Sequence, residues 1–535
     1  MPGKGSAKSI EALLDEYIGS EIEEYLKLRE EKMTFIEIPP EAEIMEIKDL
    51  YKPWARAVII RDPTTGALKY IVDEIPLTQL ERRVVKRLID MLYWQMEPPP
   101  SGVDVRDYVE AEVKRLIALY GLKRLGRRVK WSKILYYILR DTVGYGPLDP
   151  LMRDPDIEDI SCVGPGRPIY VWVRPYEYVP TNVIFYDPEE LDDFIVKLAH
   201  KAGKHVSVAS PIVDAILPGG HRLAATFRKE VSVAGSTFTI RKFREEPLTI
   251  IDLIRWGTLS PELAAYLWLV IENKLTALIL GVTGAGKTSL LNALATLLRP
   301  TTKVVTIEDT PELKLPLENW VQLVSRPSHG IGPYKVGEIT LFDLVKLSLR
   351  YRPDVIIVGE VRGEEAYVLF QAMATGHGGM TTMHAEDISA AVKRLTSPPM
   401  NIPESYIPLA SLAMVIRRVR LPGAEIVARR VAKVWEIRGP NDFFTVAEWK
   451  PAIDAFEIRV EDSQLLKSIA EMLGKDTVWI FDEIAKRTTV LTWMAVKKIT
   501  RYRDVAKHVQ KYYAKPDLMY RTALEELKQL REAEA

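Results

Sequence analysis

Nine consecutive residues, Gly281, Val282, Thr283, Gly284, Ala285, Gly286, Lys287, Thr288 and Ser289, combine glycines, a lysine and hydroxyls. Gly281, Gly286, Lys287 and Thr288 complete the spacing G-x-x-x-x-G-K-[ST]. Glycines let successive backbone N–H groups turn inward around an anion, and a helix starting here adds its partial positive charge. Lys287 has the reach for β- and γ-phosphates, and the Thr288 hydroxyl is short enough to sit on Mg2+. The spacing predicts a nucleotide phosphate site over 281–289.

Further chemistry lies downstream. The stretch KVVTIEDTPEL at 303–313 is an apolar run ending in the carboxylates Glu308 and Asp309, and a third run at 355–358 ends in Gly359 and Glu360. Residues just past the carboxyl ends of strands in an open parallel sheet face the ligand crevice. Both acidic positions therefore aim at the phosphates, where Mg2+ and an attacking water need carboxylates. Glu360 is placed to orient or deprotonate that water. The Gly/Thr-rich stretch TGHGGMTTMHAED at 375–387 carries His377 and His384, two of seven histidines. An imidazole there can sense a γ-phosphate. A zinc site is the competing sharp reading, with no cysteine nearby and no third ligand spaced for it.

These residues need elements to hold them. LTALILGVTGAGKTSLLNALATLL reads as a buried strand at 275–280, a Gly-rich turn and a helix. From a helix beginning near Pro261 to about 430, apolar runs, Gly-rich turns and helices alternate, the pattern of an open parallel α/β sheet forming residues 258–430. Residues 131–243 have short strands and turns, read as a small α+β domain, and 244–257 is a connector. Residues 1–130 are expected to form a docking region. It contains a helical pattern at 9–32, a strand-like TFIEIPP, short β pieces, two amphipathic helices and a basic cluster, LKRLGRRVK, at 122–130. The tail, 431–535, reads as two strands, VAKVWEIRG and FFTVAEWK, followed by helices rich in Lys and Arg.

With 535 residues the chain calls for several domains. Its 73 basic residues balance 73 acidic ones, so net charge gives no reason to expect nucleic acid or an anionic membrane as partner. The basic cluster reads as a solvated face, with nucleic acid or lipid as the alternative. One cysteine, Cys162, excludes an intramolecular disulfide and a Cys-rich zinc site, and fits a reducing cytosol. The start has no signal-type apolar core and no apolar run approaches the ~18 residues of a membrane span. A soluble protein is expected, meeting a membrane through a partner or a surface patch.

The order of phosphate loop, acidic box, strand ending in Glu360 and histidine box resembles the type II/IV secretion-superfamily ATPases. GYGPLDPLMRDPDIEDISCVGPG, PIVDAILPGGHRLAATF and FTIRKF resemble their N-terminal domain, and the leading region and long tail are most similar to the archaeal branch, which includes archaellum and archaeal type IV pilus ATPases. The four-cysteine module of many bacterial members is missing here. The resemblance implies an α/β fold: a RecA-like core, a parallel sheet with helices on both faces, preceded by a small PAS-like α+β domain and a helical N-terminal region. It implies a homo-hexamer hydrolysing ATP with Mg2+. Glu360, Glu308 and His384 would be catalytic, Thr288 and Asp309 would hold the metal, and His377 is a weaker match to the histidine box. It further implies that Arg222 and Arg241, with Arg228 as a third, reach the nucleotide from the N-terminal domain. Arg326, Arg350, Arg352 and Arg362 flank the boxes and can serve the same end across a subunit boundary. The partner implied is a polytopic membrane platform protein of a pilus, archaellum or secretion system, with the motor at the cytoplasmic face. A nucleic-acid translocase and a non-hydrolysing, nucleotide-gated scaffold stand as alternatives.

Overall fold

The computed structural model describes residue 38 and residues 41–174, 176–244, 246–326, 337–421 and 427–534. The helix expected over 9–32 and, but for Ile38, the TFIEIPP strand lie outside the described residues. The chain forms two units, one ending at Phe243 and one starting at Arg244.

The first unit is built on a nine-stranded sheet. Its strands are β1 (Glu43–Tyr51), β2 (Ala55–Arg61), β3 (Leu68–Glu74), β4 (Ile157–Cys162), β5 (Pro168–Val173), β6 (Glu177–Ile184), β7 (Ile212–Ile216), β8 (Arg222–Thr226) and β9 (Thr237–Arg241). They are ordered β1-β2-β3-β6-β5-β4-β9-β8-β7. The boundary expected at 130/131 therefore does not divide the fold, because β3 joins β6 in parallel at Tyr70 and Thr181. The Asn182 side chain stands in for the ladder at that seam. Its Oδ1 accepts from the Val72 amide at 2.8 Å and its Nδ2 donates to the Val72 carbonyl at 3.0 Å. The two amphipathic helices form at Gln79–Gln95 and Val105–Leu119, and with Trp131–Thr142 they enclose a core of their own. The first starts on a reciprocal capping box between Thr78 and Glu81, which satisfies amides the helix leaves unpaired.

The second unit also holds a nine-stranded sheet: β10 (Ala277–Leu280), β11 (Val304–Glu308), β12 (Trp320–Val324), β13 (Val355–Val358), β14 (Gly378–Met383), β15 (Leu412–Arg420), β16 (Val427–Gly439), β17 (Asp442–Lys450) and β18 (Ala455–Ile458). The order is β12-β11-β13-β14-β10-β15-β16-β17-β18. Pairing is parallel from β12 through β15 and antiparallel from β15 through β18. The fold is thus α/β, as expected, but with a mixed sheet. The boundary drawn at 430/431 falls inside β16, since the tail strands continue the sheet instead of leaving it.

Helices cover both faces of this sheet. Alternate residues of β10 and β13 enter opposite cores: Ala277, Ile279, Val355 and Ile357 in one, Leu278, Leu280, Ile356 and Val358 in the other. Burial on both sides explains why these strands read as unbroken apolar runs. The stretch read as a connector contains a helix, Ile250–Arg255, whose Ile250, Ile251, Leu253 and Ile254 are buried in the first of those cores. The tail helices pack there too. Buried Arg487, on the helix Thr477–Val496, pairs with Glu272 at 2.6 Å and Glu483 at 2.9 Å and lies over the Trp268 ring.

Candidate active site

Register brings the candidate residues to one edge of the second sheet. Leu280 lies opposite Met383, Ile307 opposite Val358 and Val358 opposite Thr381. The residues that follow, Gly281, Glu308, Gly359, Glu360 and His384, therefore emerge together at the carboxyl ends of their strands. From β10 the chain turns through Gly281–Gly286 into the helix Lys287–Ala295. A side chain at Gly281 would put its Cβ 2.7 Å from the Ile416 carbonyl oxygen. Gly286 caps the helix at φ +100, in the left-handed region glycine enters at little cost. The loop residues Val282, Thr283 and Gly284 are exposed, while Ala285 is buried.

Three side chains from three elements join in a line. Lys287 is 8% exposed, and its Nζ lies 3.2 Å from the Val282 carbonyl oxygen and 3.4 Å from Nδ1 of His384. Nε2 of His384 lies 2.8 Å from Oε1 of Glu360, whose other oxygen accepts from Arg362. Burial and the neighbouring Lys287 push the His384 pKa below its ordinary value, outweighing the pull of Glu360. That direction favours the neutral imidazole. An Nε2–H tautomer satisfies both contacts, accepting from the ammonium at Nδ1 and donating to the carboxylate. Burial also lowers the Lys287 pKa, with Glu360 opposing it. The Thr382 hydroxyl donates to the Gly359 carbonyl at 2.8 Å, fixing the turn that presents Glu360.

The adjacent carboxylates Glu308 and Asp309 part company. Glu308 is 3% exposed, and its Oε1 accepts from the backbone amides of Glu312 and Leu313, both at 2.9 Å. Its Oε2 accepts from Gln322 at 3.1 Å. Burial nevertheless leaves its pKa above the usual carboxylate value. Glu308, expected as a catalytic group, braces the turn after β11 through these three hydrogen bonds. Asp309 is exposed and accepts from the Ser325 hydroxyl at 2.8 Å; Glu360 chiefly, with Asp309 adding to it, raises the Arg362 pKa. Exposed Asp309 and partly buried Thr288 both carry hard oxygen donors, the kind that Mg2+ prefers.

The two histidines separate as well. His377 precedes β14, at the strand end opposite His384, with Nδ1 3.0 Å from the Thr375 hydroxyl and 3.1 Å from the Ala372 carbonyl. It closes the helix Glu365–Ala374. Among the described residues no group of three or more His, Cys, Asp or Glu is set to hold a metal ion, so the zinc reading has no ligand set there.

In the first unit Arg222 and Arg241 stand directly opposite each other on β8 and β9. Each guanidinium has a carboxylate: Arg222 pairs with Asp214 at 3.3 Å, and Arg241 with Asp159 at 3.2 Å. Both arginines are more than half exposed. Arg228 lies off the strand at φ +56, paired with Asp192 at 3.0 Å. In the second unit Arg326 donates to the Gly337 carbonyl at 2.7 Å, Arg350 and Arg352 sit in the turn before β13, and Arg362 holds Glu360. One residue escaped the sequence reading. Arg429, on β16, donates to the carbonyl of Gly284 in the phosphate loop at 3.2 Å. Its distance along the chain from the loop left no local signal; only the pairing of β16 with β15, which in turn pairs with β10, brings it there.

A protein-family model described as Type II/IV secretion system protein matches residues 142–501. An uncharacterized protein of Methanocaldococcus jannaschii is 39% identical over 393 residues, which span 72% of this chain and 70% of that protein. A Type IV secretion system protein PtlH homolog of Bordetella bronchiseptica is 27% identical over 319 residues, 54% of this chain and 92% of its own. Among solved structures, the VirB11 ATPase of the Brucella suis type IV secretion system aligns at 25% identity and a TM-score of 0.28, covering 54% of this chain and 92% of that one. The Legionella pneumophila ATPase DotB aligns at 18% identity and a TM-score of 0.42, covering 66% and 92%.

Proposed function

This chain belongs to the family of type II/IV secretion system proteins, and from that premise we propose that it is an ATP-hydrolysing assembly motor. The observation that carries the proposal is the line Lys287, His384, Glu360 at the carboxyl edge of a parallel sheet, directly beside a phosphate loop. Loop amides over 281–289 and Lys287 would hold the triphosphate. The ammonium trades its contact with the Val282 carbonyl for phosphate oxygens, which removes a buried charge from a weak partner. Thr288 and Asp309 would hold Mg2+, which when bound neutralises charge on the phosphates.

Glu360 orients a water toward the γ-phosphorus and takes up its proton as the new P–O bond forms and the bond to the ADP oxygen breaks. Neutral His384 couples Glu360 to Lys287, so loss of the γ-phosphate is felt by both. The proposal extends to a homo-hexamer in which Arg222 and Arg241, two guanidiniums sharing one strand face, serve the nucleotide. It extends further to a polytopic membrane platform protein at the cytoplasmic face of a membrane. Through that platform the motor would drive assembly of a pilus-like filament or archaellum, or protein export. Among the described residues no helix is long and apolar enough to cross a membrane.

Titration with labelled ATP and Mg2+ tests the reading. Saturable binding is expected, abolished by Lys287→Ala. Glu360→Gln should keep binding and lower turnover by about 100-fold or more, the usual scale for losing a general base. Binding to Lys287→Ala equal to the parent's overturns the phosphate site; full turnover by Glu360→Gln leaves only a nucleotide-gated scaffold. Turnover is expected to ignore single- and double-stranded DNA at low salt. Stimulation that fades steeply with salt would favour a nucleic-acid translocase.

A further inference from the structure

Resting on that phosphate-site reading, we propose that Arg429 is a positioning residue that holds the phosphate loop in its anion-binding shape. A loop that turns its N–H groups inward around phosphate must turn carbonyls outward, and each outward carbonyl needs a donor. Two such carbonyls are held here by side chains. Val282 accepts from Lys287 at 3.2 Å, and Gly284 accepts from Arg429 at 3.2 Å. Gly284 is exposed, sits at φ +72, and a Cβ placed on it would meet nothing within 4 Å. When Lys287 leaves Val282 for a phosphate, the Arg429 contact stays.

The approach of Arg429 is built into the sheet. Val415 of β15 lies opposite Leu280, so the β15–β16 hairpin continues past the end of β10, with Arg429 opposite Arg418. The Arg429 stem then passes over Gly286, where an added Cβ would stand 3.1 Å from Cδ of the arginine. Gly286 therefore does two things: it takes a left-handed backbone and clears a path for this side chain. A guanidinium suits the task because it stays charged and presents fixed donors, and its charge adds to the potential that attracts phosphate.

Arg429 acts on the loop and not on the γ-phosphate, which fixes the signature. Arg429→Gln should weaken ATP and ADP by the same factor, about ten-fold. KM for ATP should rise alike, kcat at saturation should stay within about two-fold, and the thermal midpoint should be unmoved. Arg429→Lys, which keeps the charge but not the fork, should recover part of the affinity. His384→Asn is the contrast, since it should weaken ATP while sparing ADP. Parental affinity in Arg429→Gln, a loss confined to ATP, or a loss in kcat alone would each overturn the proposal. Should Arg429→Gln not fold, unchanged affinities in Arg429→Lys would overturn it instead. The Lys287→Ala titration separates the two claims. If that variant loses binding while Arg429→Gln does not, the phosphate site stands and the Arg429 proposal falls. If neither loses binding, both fall.

Discussion

Adjacent carboxylates at 308 and 309 illustrate how one peptide unit decides chemistry. Glu308 turns into the protein and satisfies two amides and an amide side chain; Asp309 faces solvent beside a serine hydroxyl. Glu308→Gln can keep one oxygen on the two backbone amides, but sets its new NH2 against the buried NH2 of Gln322, which needs an acceptor. It should cost about 1–3 kcal/mol of stability in urea unfolding, the usual scale for an unsatisfied buried group. Asp309→Asn should leave stability alone and raise the Mg2+ needed for half-maximal turnover about ten-fold. Reversed outcomes would exchange the two roles. The run KVVTIED announces an acidic strand end but not which acid turns inward, because that depends on Gln322 and on the turn at 312–313. Lys287, Glu360 and His384 were legible for the opposite reason: each sits in a short local pattern whose geometry the strand end imposes.

At the level of elements, the phosphate loop is shaped by its neighbours as much as by its own glycines. A methyl group at 281 would meet the backbone oxygen of Ile416 at 2.7 Å, and neither strand can yield without breaking the β10–β15 ladder. Gly281→Ala should therefore abolish ATP binding in the titration. Gly284→Ala faces open space and only the strain of a left-handed backbone, roughly 1–2 kcal/mol. It should weaken binding modestly. Equal effects at the two positions would contradict the packing account. The same elements show where sequence patterns stop. Apolar runs identified β10, β11 and β13 as strands buried on both faces. That β16 to β18 would extend the sheet, and that Asn182 would stitch β3 to β6, depended on pairings between distant segments that carry no local mark.

For the molecule as a whole, acid–base behaviour follows from burial. Lys242, near the end of the first unit, donates to the Leu151 and Asp154 carbonyls, and burial lowers its pKa to about 8 against the pull of Asp154 and Asp156. The unfolded chain, with the ordinary lysine value of 10.5, binds this proton more tightly than the folded one between those limits. Stability contributed at this position therefore rises with pH from about 8 to 10.5, and below 8 the full penalty applies, at most about 3 kcal/mol. The stability difference between the parent and Lys242→Met should shift in favour of the parent between pH 7 and pH 10. A shift the other way would refute the burial of that ammonium.

Arg487 reaches from the tail into the wall behind β10, where it neutralises Glu272 on the helix that leads into that strand. Shortening the chain ahead of position 487 would leave Glu272 to Arg299 alone, whose guanidinium is more than half exposed, and would take away the buried partner of its second oxygen. The terminal helices are thus not a detachable appendix. A relative that dispenses with them would have to meet the second oxygen of the acid at 272 with some other donor or carry a neutral residue there, which ties the two ends of this lobe together.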